Sequence, residues 1–401
     1  MLNLIEYMCA DALAPLPEAL AHSEQLAAYI RQQIIQSGGA IPFSRFMELA
    51  LYAPGLGYYS AGASKFGEAG DFITAPELGS LFATTVANAL APVLQQLGAL
   101  ACVLELGGGS GAFAEMLLKR LMELHRLPQR YAILEPSAEL RQRQQLHLKR
   151  TLPPSLFALV EWVDAPFSEQ WDGVVFANEV IDALPASRFT IRDGQVYEAT
   201  VLLDAQQRFV SGQQPADALL HQAVRHIERD LSVRFADGYC SEVLPQLPYW
   251  VQAVVGGLKR GVLLFVDYGY PRAEYYRPER DTGTLRAFYR HRVHDDWYRW
   301  PGLQDVTASV DFTALAEAGT AAGFDMAGYC TQANFLLSHG LDRLLAHAEE
   351  GVDEVAKLLL RNQVKRLTLP SEMGERFQVM GFAREVAFDH AFLKGDLIWR
   401  L

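Results

Sequence analysis

From about residue 100 onward, short apolar runs alternate with stretches of helical period, and this alternation constrains the fold more than any other feature of the chain. ACVLEL leads into a glycine cluster, FAEMLLKRLMELHRL follows at helical spacing, and YAILE is the next short run. A polar helix, AELRQRQQLHLKRTL, comes next; LVEWV, GVVFAN and GVLLFV complete the series. Runs that are apolar at every position bury both faces, and helices between them predict an α/β fold with a mostly parallel sheet covered on both sides. FDMAGYCTQ and RFQVMGFAR predict a closing antiparallel pair. The interval between GVVFAN and GVLLFV is too long for one crossover helix. Within it RFTIRDGQVYEATVLL reads as a hairpin turning at Asp193-Gly194, and residues 245–259 can supply the crossover. Upstream, SEQLAAYIRQQIIQSGG predicts a helix opening at Ser23 and stopping at Gly38-Gly39, and IPFSRFMELALY a second one capped by Ser44. The chain divides into residues 1–85, N-terminal helices and a long loop rich in glycine and aromatics; 86–185, the first half of the sheet; 186–245, an antiparallel insertion; and 246–401, the second half with a long loop.

Composition narrows the partners. Half the residues are hydrophobic and a fifth charged, the balance of a globular chain. A net charge of −12 repels phosphate backbones, so nucleic acid is not an expected partner. No run approaches the ~20 apolar residues that span a bilayer. The N-terminus carries Glu6 and Asp11 and no Arg before Arg31, which fits neither a signal peptide nor a mitochondrial presequence. Cys9, Cys102, Cys240 and Cys330 are widely spaced, with no CxxC pair; they read as reduced thiols in a cytoplasmic protein rather than as disulfides or zinc ligands.

ELGGGSG is the sharpest local signal. Its glycines sit where the first strand turns into a helix, so the backbone can bend tightly and approach a ligand with no Cβ in the way. The helix start behind it favours an anionic group. Glu135, ending the next strand, suits the two hydroxyls of a ribose. Gly107, Gly109 and Ala112 also fit the dinucleotide pattern GxGxxA, whereas Glu105 ahead of the loop and the alternation of Gly107, Gly109 and Gly111 favour S-adenosylmethionine. On these residues alone both adenosine-type ligands stay open.

FANEVIDALP places Asn178, Glu179 and Asp182 beyond the carboxyl end of a buried strand, where open α/β sheets bind ligands. Glu179 reads as functional; Asp182 is the one best suited to a structural turn before Pro185. DYGY sets Asp267 and Tyr268 at the same edge. A third stretch, GTLRAFYRHRVHDDWYRWPGLQDVTASVDF, gathers His291, His294, Asp295, Asp296, Asp305 and Asp311. These lack a recognised ligand spacing, and Arg286, Arg290, Arg292 and Arg299 interleave them, so a salt-bridged loop without metal is the expectation.

Taken together, LYAPGLGYYS, KFGEAGDFITAPE, ELGGGSG, NEVIDALP, DYGYP, PGLQDVTASVDF and MGERFQVM resemble the MidA-like family of S-adenosylmethionine-dependent methyltransferases. That family includes the mitochondrial protein-arginine methyltransferase that assists assembly of respiratory complex I. The resemblance spans most of the chain; its one visible departure is Gly108 and Ser110 where the family often has Pro and Arg. It implies a class I (Rossmann-like) methyltransferase core with S-adenosyl-L-methionine as cofactor. It further implies that Gly107, Gly109 and Gly111 approach the methionine part, that Glu135 holds the ribose, and that Asp164 lies near the adenine. The loop with Gly70, Asp71, Phe72, Thr74, Pro76 and Glu77 becomes a cover over the cofactor. Asn178, Glu179 and Asp182 then line the methyl-transfer face.

The expected activity is methyl transfer to a protein side chain, an arginine nitrogen in preference, in a bacterial cytoplasmic protein; a counterpart of a complex I subunit is one conceivable partner. Glu179 is the expected guanidinium clamp, with Glu77 or Asp182 second. An NAD(P)-dependent oxidoreductase and a non-catalytic cofactor-binding assembly factor are the alternatives.

Overall fold

The computed structural model describes residues 15–61, 74–290 and 292–401. Gly70, Asp71 and Phe72, expected in the cover, lie outside these, as do Cys9 and His291.

The N-terminal region is helical, with boundaries set by proline rather than by serine caps. Helix α1 (Pro17–Gln36) starts ahead of the expected position, with proline in its first turn, where a missing N–H costs nothing. Ser23 is therefore an interior residue, and its hydroxyl donates to the Pro301 carbonyl at 3.0 Å. After β1 (Ala40–Pro42), α2 (Phe43–Tyr52) begins directly behind Pro42, so Ser44 lies inside the first turn instead of capping it. Helix α3 (Ser80–Leu97) has no counterpart in the sequence reading. It is apolar on almost every side and buries twelve of its residues, from Leu81 to Leu97.

The alternation then unfolds as expected: β2 (Cys102–Leu106), α4 (Ala112–Glu123), β3 (Arg130–Leu134), α5 (Ala138–Thr151), β4 (Val160–Val163) and β5 (Trp171–Asn178). An antiparallel group follows, β6 (Ser187–Arg192), β7 (Gln195–Leu203), β8 (Phe209–Pro215), α6 (Ala218–Asp230) and β9 (Cys240–Val243). Crossover helix α7 (Leu247–Val255) leads into β10 (Leu258–Tyr270). Beyond it lie β11 (Arg286–Tyr289), β12 (Arg292–His294), β13 (Asp305–Thr307), β14 (Val310–Asp311), α8 (Phe312–Ala321) and β15 (Asp325–Thr331). Three further helices, α9 (Gln332–Ser338), α10 (Leu341–Ala348) and α11 (Glu354–Thr368), separate β15 from the last strand, β16 (Phe377–Arg384).

The central sheet runs β15-β16-β10-β5-β2-β3-β4, with the short β14 alongside the end of β10. Strands β10, β5, β2, β3 and β4 are parallel, and β16 runs against both of its neighbours. Side chains of each buried strand alternate between two apolar layers. Val103, Val174, Phe176, Val262 and Leu264 face the layer of α3 and α4. Leu104, Val175, Ala177, Leu263 and Phe265 face that of α7 and α8. This double burial is why the strands read as continuous apolar runs. From β2 the chain first builds outward through β3 and β4, then returns to the other side of β2 as β5. The reversal opens a crevice at the carboxyl ends of β2 and β5, where a parallel sheet accepts ligands.

In the second sheet β6 and β7 form the expected hairpin, pairing Arg192 with Gln195 around Asp193 and Gly194, both at positive φ. Strand β1 pairs with the far end of β7 and ties the N-terminal helices to this sheet.

Candidate active site

The glycine turn opens the site. Gly107, Gly109 and Gly111 all have positive φ, 67°, 52° and 88°, a region that L side chains enter at a cost of ~1–2 kcal/mol per residue. The Gly107 N–H donates to the Leu134 carbonyl at 3.0 Å and the Gly111 N–H to the Gly108 carbonyl at 2.8 Å, which fixes the bend between β2, β3 and α4. A Cβ added at Gly109 would meet nothing within 4 Å, whereas one at Gly108 would strike the Ile133 side chain at 2.7 Å. Gly107, Gly109 and Glu105 line a cavity of about 450 Å³. Gly111 does not; it is the N-cap residue just ahead of α4.

Glu135 also lines this cavity. One carboxylate oxygen accepts the Ser137 N–H at 3.0 Å and the other the Gln144 side-chain amide at 3.2 Å. A carboxylate at the end of a strand beside the glycine turn is the group type that receives a ribose diol. Gln144 is fully buried, and its amide also donates to the Gly109 carbonyl at 3.0 Å while its own carbonyl accepts from Trp162 at 2.8 Å. It fastens the glycine turn to Glu135. Sequence reading passed it over because it sits in a polar helix with no motif around it. Glu105 is buried and accepts the Tyr131 hydroxyl at 2.8 Å. Burial pushes its carboxyl up to about 8, against the opposing Tyr131 hydrogen bond.

Asp164 borders the cavity, yet its side chain is 93% exposed and paired with Arg141 at 2.7 Å. Thr74, Pro76 and Glu77 border it as well. Glu77 accepts the Ser110 hydroxyl at 2.5 Å, which joins the segment 74–77 to the glycine turn.

The other end of the cavity is acidic and aromatic. Asn178 ends β5, Glu179 follows it, and both line the cavity. Glu179 holds φ at +52°, left-handed for a residue with a side chain, the kind of strain that persists where surrounding structure enforces it. Its N–H donates to the Val266 carbonyl at 2.9 Å, and its carboxylate accepts the Asn178 amide at 3.1 Å. Enclosure raises the carboxyl to about 8, helped by the charge of Asp182. The Asn178 carbonyl oxygen is buried without a hydrogen-bond partner. Asp182 sits behind this wall rather than on it. It accepts the Tyr268 hydroxyl at 2.7 Å, and burial raises it to about 6. Asp267, also off the cavity, takes the N–H groups of Ile181 and Asp182 at 3.0 and 3.3 Å and so holds the loop that carries Glu179. Burial, then the charges of Asp182 and Glu179, drive its carboxyl well above the usual range.

Two tyrosines absent from the sequence expectations complete this end. The rings of Tyr52 and Tyr59 stack at 5.5 Å with an interplanar angle of 23° and line the same cavity. The Tyr52 hydroxyl donates to the Ala183 carbonyl at 2.9 Å and that of Tyr59 to Asp305 at 3.0 Å.

The expected salt-bridged loop takes a different form. Asp311 caps α8 through the N–H groups of Thr313 and Ala314 and pairs with Arg272, from outside the stretch. Asp305 turns inward to Tyr59, and Arg299 lies over the Trp300 ring at 3.8 Å. Among the described residues no group of three or more His, Cys, Asp or Glu side chains is placed to hold a metal, and no helix is long and apolar enough to cross a membrane.

The cavity suits an adenosyl ligand on its own terms: open space above Gly109, a carboxylate at Glu135 on its lining, an orphaned Asn178 side-chain oxygen, and a volume in the usual range for small-molecule sites. Fold and site together define a Rossmann-like class of protein with a cavity suited to a nucleoside cofactor at the switch point of its sheet.

Comparison with known proteins gives the class its family. Residues 85–330 match the family described as putative S-adenosyl-L-methionine-dependent methyltransferase. A crystal structure from Burkholderia thailandensis, a COG1565 superfamily member and likely methyl transferase bound to S-adenosyl-homocysteine, is 42% identical. It covers 97% of this chain and 99% of its own, with a TM-score of 0.88. A native crystal structure of a COG1565 superfamily protein from the same organism is 41% identical, with a TM-score of 0.87 and the same coverage of both chains. Among curated proteins, the Drosophila melanogaster "Protein arginine methyltransferase NDUFAF7 homolog, mitochondrial" is 27% identical over 93% of this chain and 89% of its own. The Homo sapiens relative of corresponding name is 28% identical over 86% of this chain and 80% of its own. The chain belongs to this family of S-adenosylmethionine-dependent methyltransferases, and the choice between that cofactor and a dinucleotide closes on the former.

Proposed function

We propose that the enzyme methylates an arginine nitrogen of a protein, with Glu179 as the group that receives the guanidinium. The observation that carries this reading is the pairing of opposites in one cavity: a side-chain-free turn at one end, and at the other an enclosed carboxylate backed by Asp182 and flanked by two tyrosines. Such an end attracts a cation. The names of the animal relatives point the same way.

S-adenosylmethionine supplies an electrophilic methyl: an N–C bond forms as the C–S bond breaks, sulfur keeps the bonding pair, and the nitrogen sheds a proton. The protein's part is positioning. A guanidinium spreads its charge over three nitrogens and is a poor nucleophile. Glu179, paired with two of them, localises the charge there and leaves the third free to react. A cation drawing near favours the ionised carboxylate, which offsets the upward pull of burial. Gly107 and Gly109 carry the backbone to the methionine part, Glu135 takes the ribose, and Asp164 borders the adenine. Thr74, Pro76 and Glu77 cover them. Greater identity to the Burkholderia structures than to the animal proteins favours a bacterial source, and widely spaced reduced cysteines favour the cytoplasm.

The test is transfer of a tritiated methyl group to proteins of a cell lysate, followed by acid hydrolysis of the labelled band. Methylarginine is expected; label recovered on lysine, on a carboxylate or on no protein at all contradicts the proposal.

A further inference from the structure

The cavity's acidic end has a wall that does not come from the parallel sheet. Tyr52 closes α2, Tyr59 belongs to the loop behind it, and Asp305 opens β13 in the small three-stranded sheet. We propose that the stacked rings of Tyr52 and Tyr59, the second oriented by Asp305, form the seat on which a flat cation lies, and that this seat selects guanidinium over ammonium. The inference rests on the arginine reading above and names the residues that enforce it.

Three observations support it. Both rings line the cavity that holds Glu179, and the Ala183 carbonyl that anchors Tyr52 lies on the loop following Glu179. Both hydroxyls donate within the protein, to Ala183 and to Asp305, so each ring is held from its polar end. Their acidity points to the same use. Burial, then the negative charge of Asp305, pushes both phenols well above their ordinary value, so neither serves as a base. What remains for the ligand is aromatic surface in an acidic field. A delocalised, weakly hydrated planar cation gains from stacking on such a surface, while an ammonium is a compact, strongly hydrated charge.

The test titrates N-acetyl-arginine methylamide and its lysine counterpart into the protein saturated with S-adenosylhomocysteine. The unsubstituted protein should bind the arginine probe about tenfold more tightly, and Tyr52→Leu and Tyr59→Leu should each remove about three- to tenfold of that affinity, the span of a cation–π contact. Tyr59→Phe keeps the ring but releases it from Asp305 and should cost about two- to threefold, the loss of one modest orienting bond. Affinity for S-adenosylhomocysteine should stay unchanged in all three. Should the leucine variants fold poorly, protein carrying ring-labelled tyrosine decides: the arginine probe should shift the two ring signals assigned by Tyr52→Phe and Tyr59→Phe. Preference for arginine that survives both leucine substitutions, or unshifted ring signals, overturns the seat and spares the arginine reading. Lack of preference in the unsubstituted protein overturns both.

Discussion

The two ends of one cavity are built on different principles. The glycine-turn end is made from consecutive pieces of the parallel sheet, a strand, a turn and a helix, with Glu135 just past the end of the neighbouring strand. Backbone geometry does most of its work, and buried Gln144 locks it. The acidic end is assembled from segments far apart in the chain: Tyr52 and Tyr59, the loop after β5, and Asp305. Side-chain chemistry does its work, and Asp267 holds it from behind. The first end thus follows from local features of the parallel-sheet fold, whereas the second depends on contacts between distant segments.

If the ends divide the labour in this way, substitutions should separate cofactor binding from transfer. Glu179→Gln should lower kcat on the order of 10²–10³-fold, the usual cost of a group that acts on transition-state charge, and leave S-adenosylhomocysteine affinity nearly unchanged. With the Glu179 carboxyl near 8 and its charged form the active one, kcat/KM for the acceptor should rise with pH up to about 8 and level off above it. That rise should be missing from the residual activity of Glu179→Gln. A flat profile in the unsubstituted enzyme removes the clamp assignment.

Gly109→Val tests the opposite end. Its branched side chain would enter the open space above the turn, and titration calorimetry should find S-adenosylhomocysteine affinity reduced on the order of 100-fold, from lost close approach plus strain at positive φ. Binding that survives in a folded variant places the cofactor elsewhere. Gln144→Leu keeps the volume but removes the amide's hydrogen bonds to the Gly109 carbonyl and to Glu135. One hydrogen bond to a charged group is worth about 1.5–3 kcal/mol, so affinity should fall roughly tenfold or more, accompanied by a lower melting temperature. The smallest effect belongs to Asp164→Ala. The group is mostly exposed and its ion pair with Arg141 is worth at most about 1 kcal/mol, so affinity should stay within about threefold. A larger loss would assign Asp164 a direct hold on the ligand.

The same contrast explains what could be read before the structure. The glycine turn, Glu135 and the strands carry their signal in adjacent residues: apolar runs, a glycine spacing, an acid at a strand end. Helix α3 was invisible because it is apolar on nearly all sides and holds Pro92 in its interior, so it shows neither amphipathic period nor clean propensity. Ser23 offered a plausible helix start, but the helix had already begun at Pro17. Tyr52, Tyr59 and Asp305 stood within quoted motifs, yet nothing local reveals that a hydroxyl at Tyr59 meets a carboxylate 246 residues away. Asp182 looked like a member of the transfer face; it lies off the cavity lining, where one of its carboxylate oxygens accepts the Tyr268 hydroxyl.

A crystal structure of the protein soaked with S-adenosylhomocysteine tests the central claim most directly. It should show the ribose hydroxyls on Glu135, the amino-acid part against Gly107 and Gly109, and Glu179 and the tyrosine pair facing the remaining space. A ligand lodged in another cavity, or one whose binding seals Glu179 and both tyrosines away from any acceptor, would contradict it.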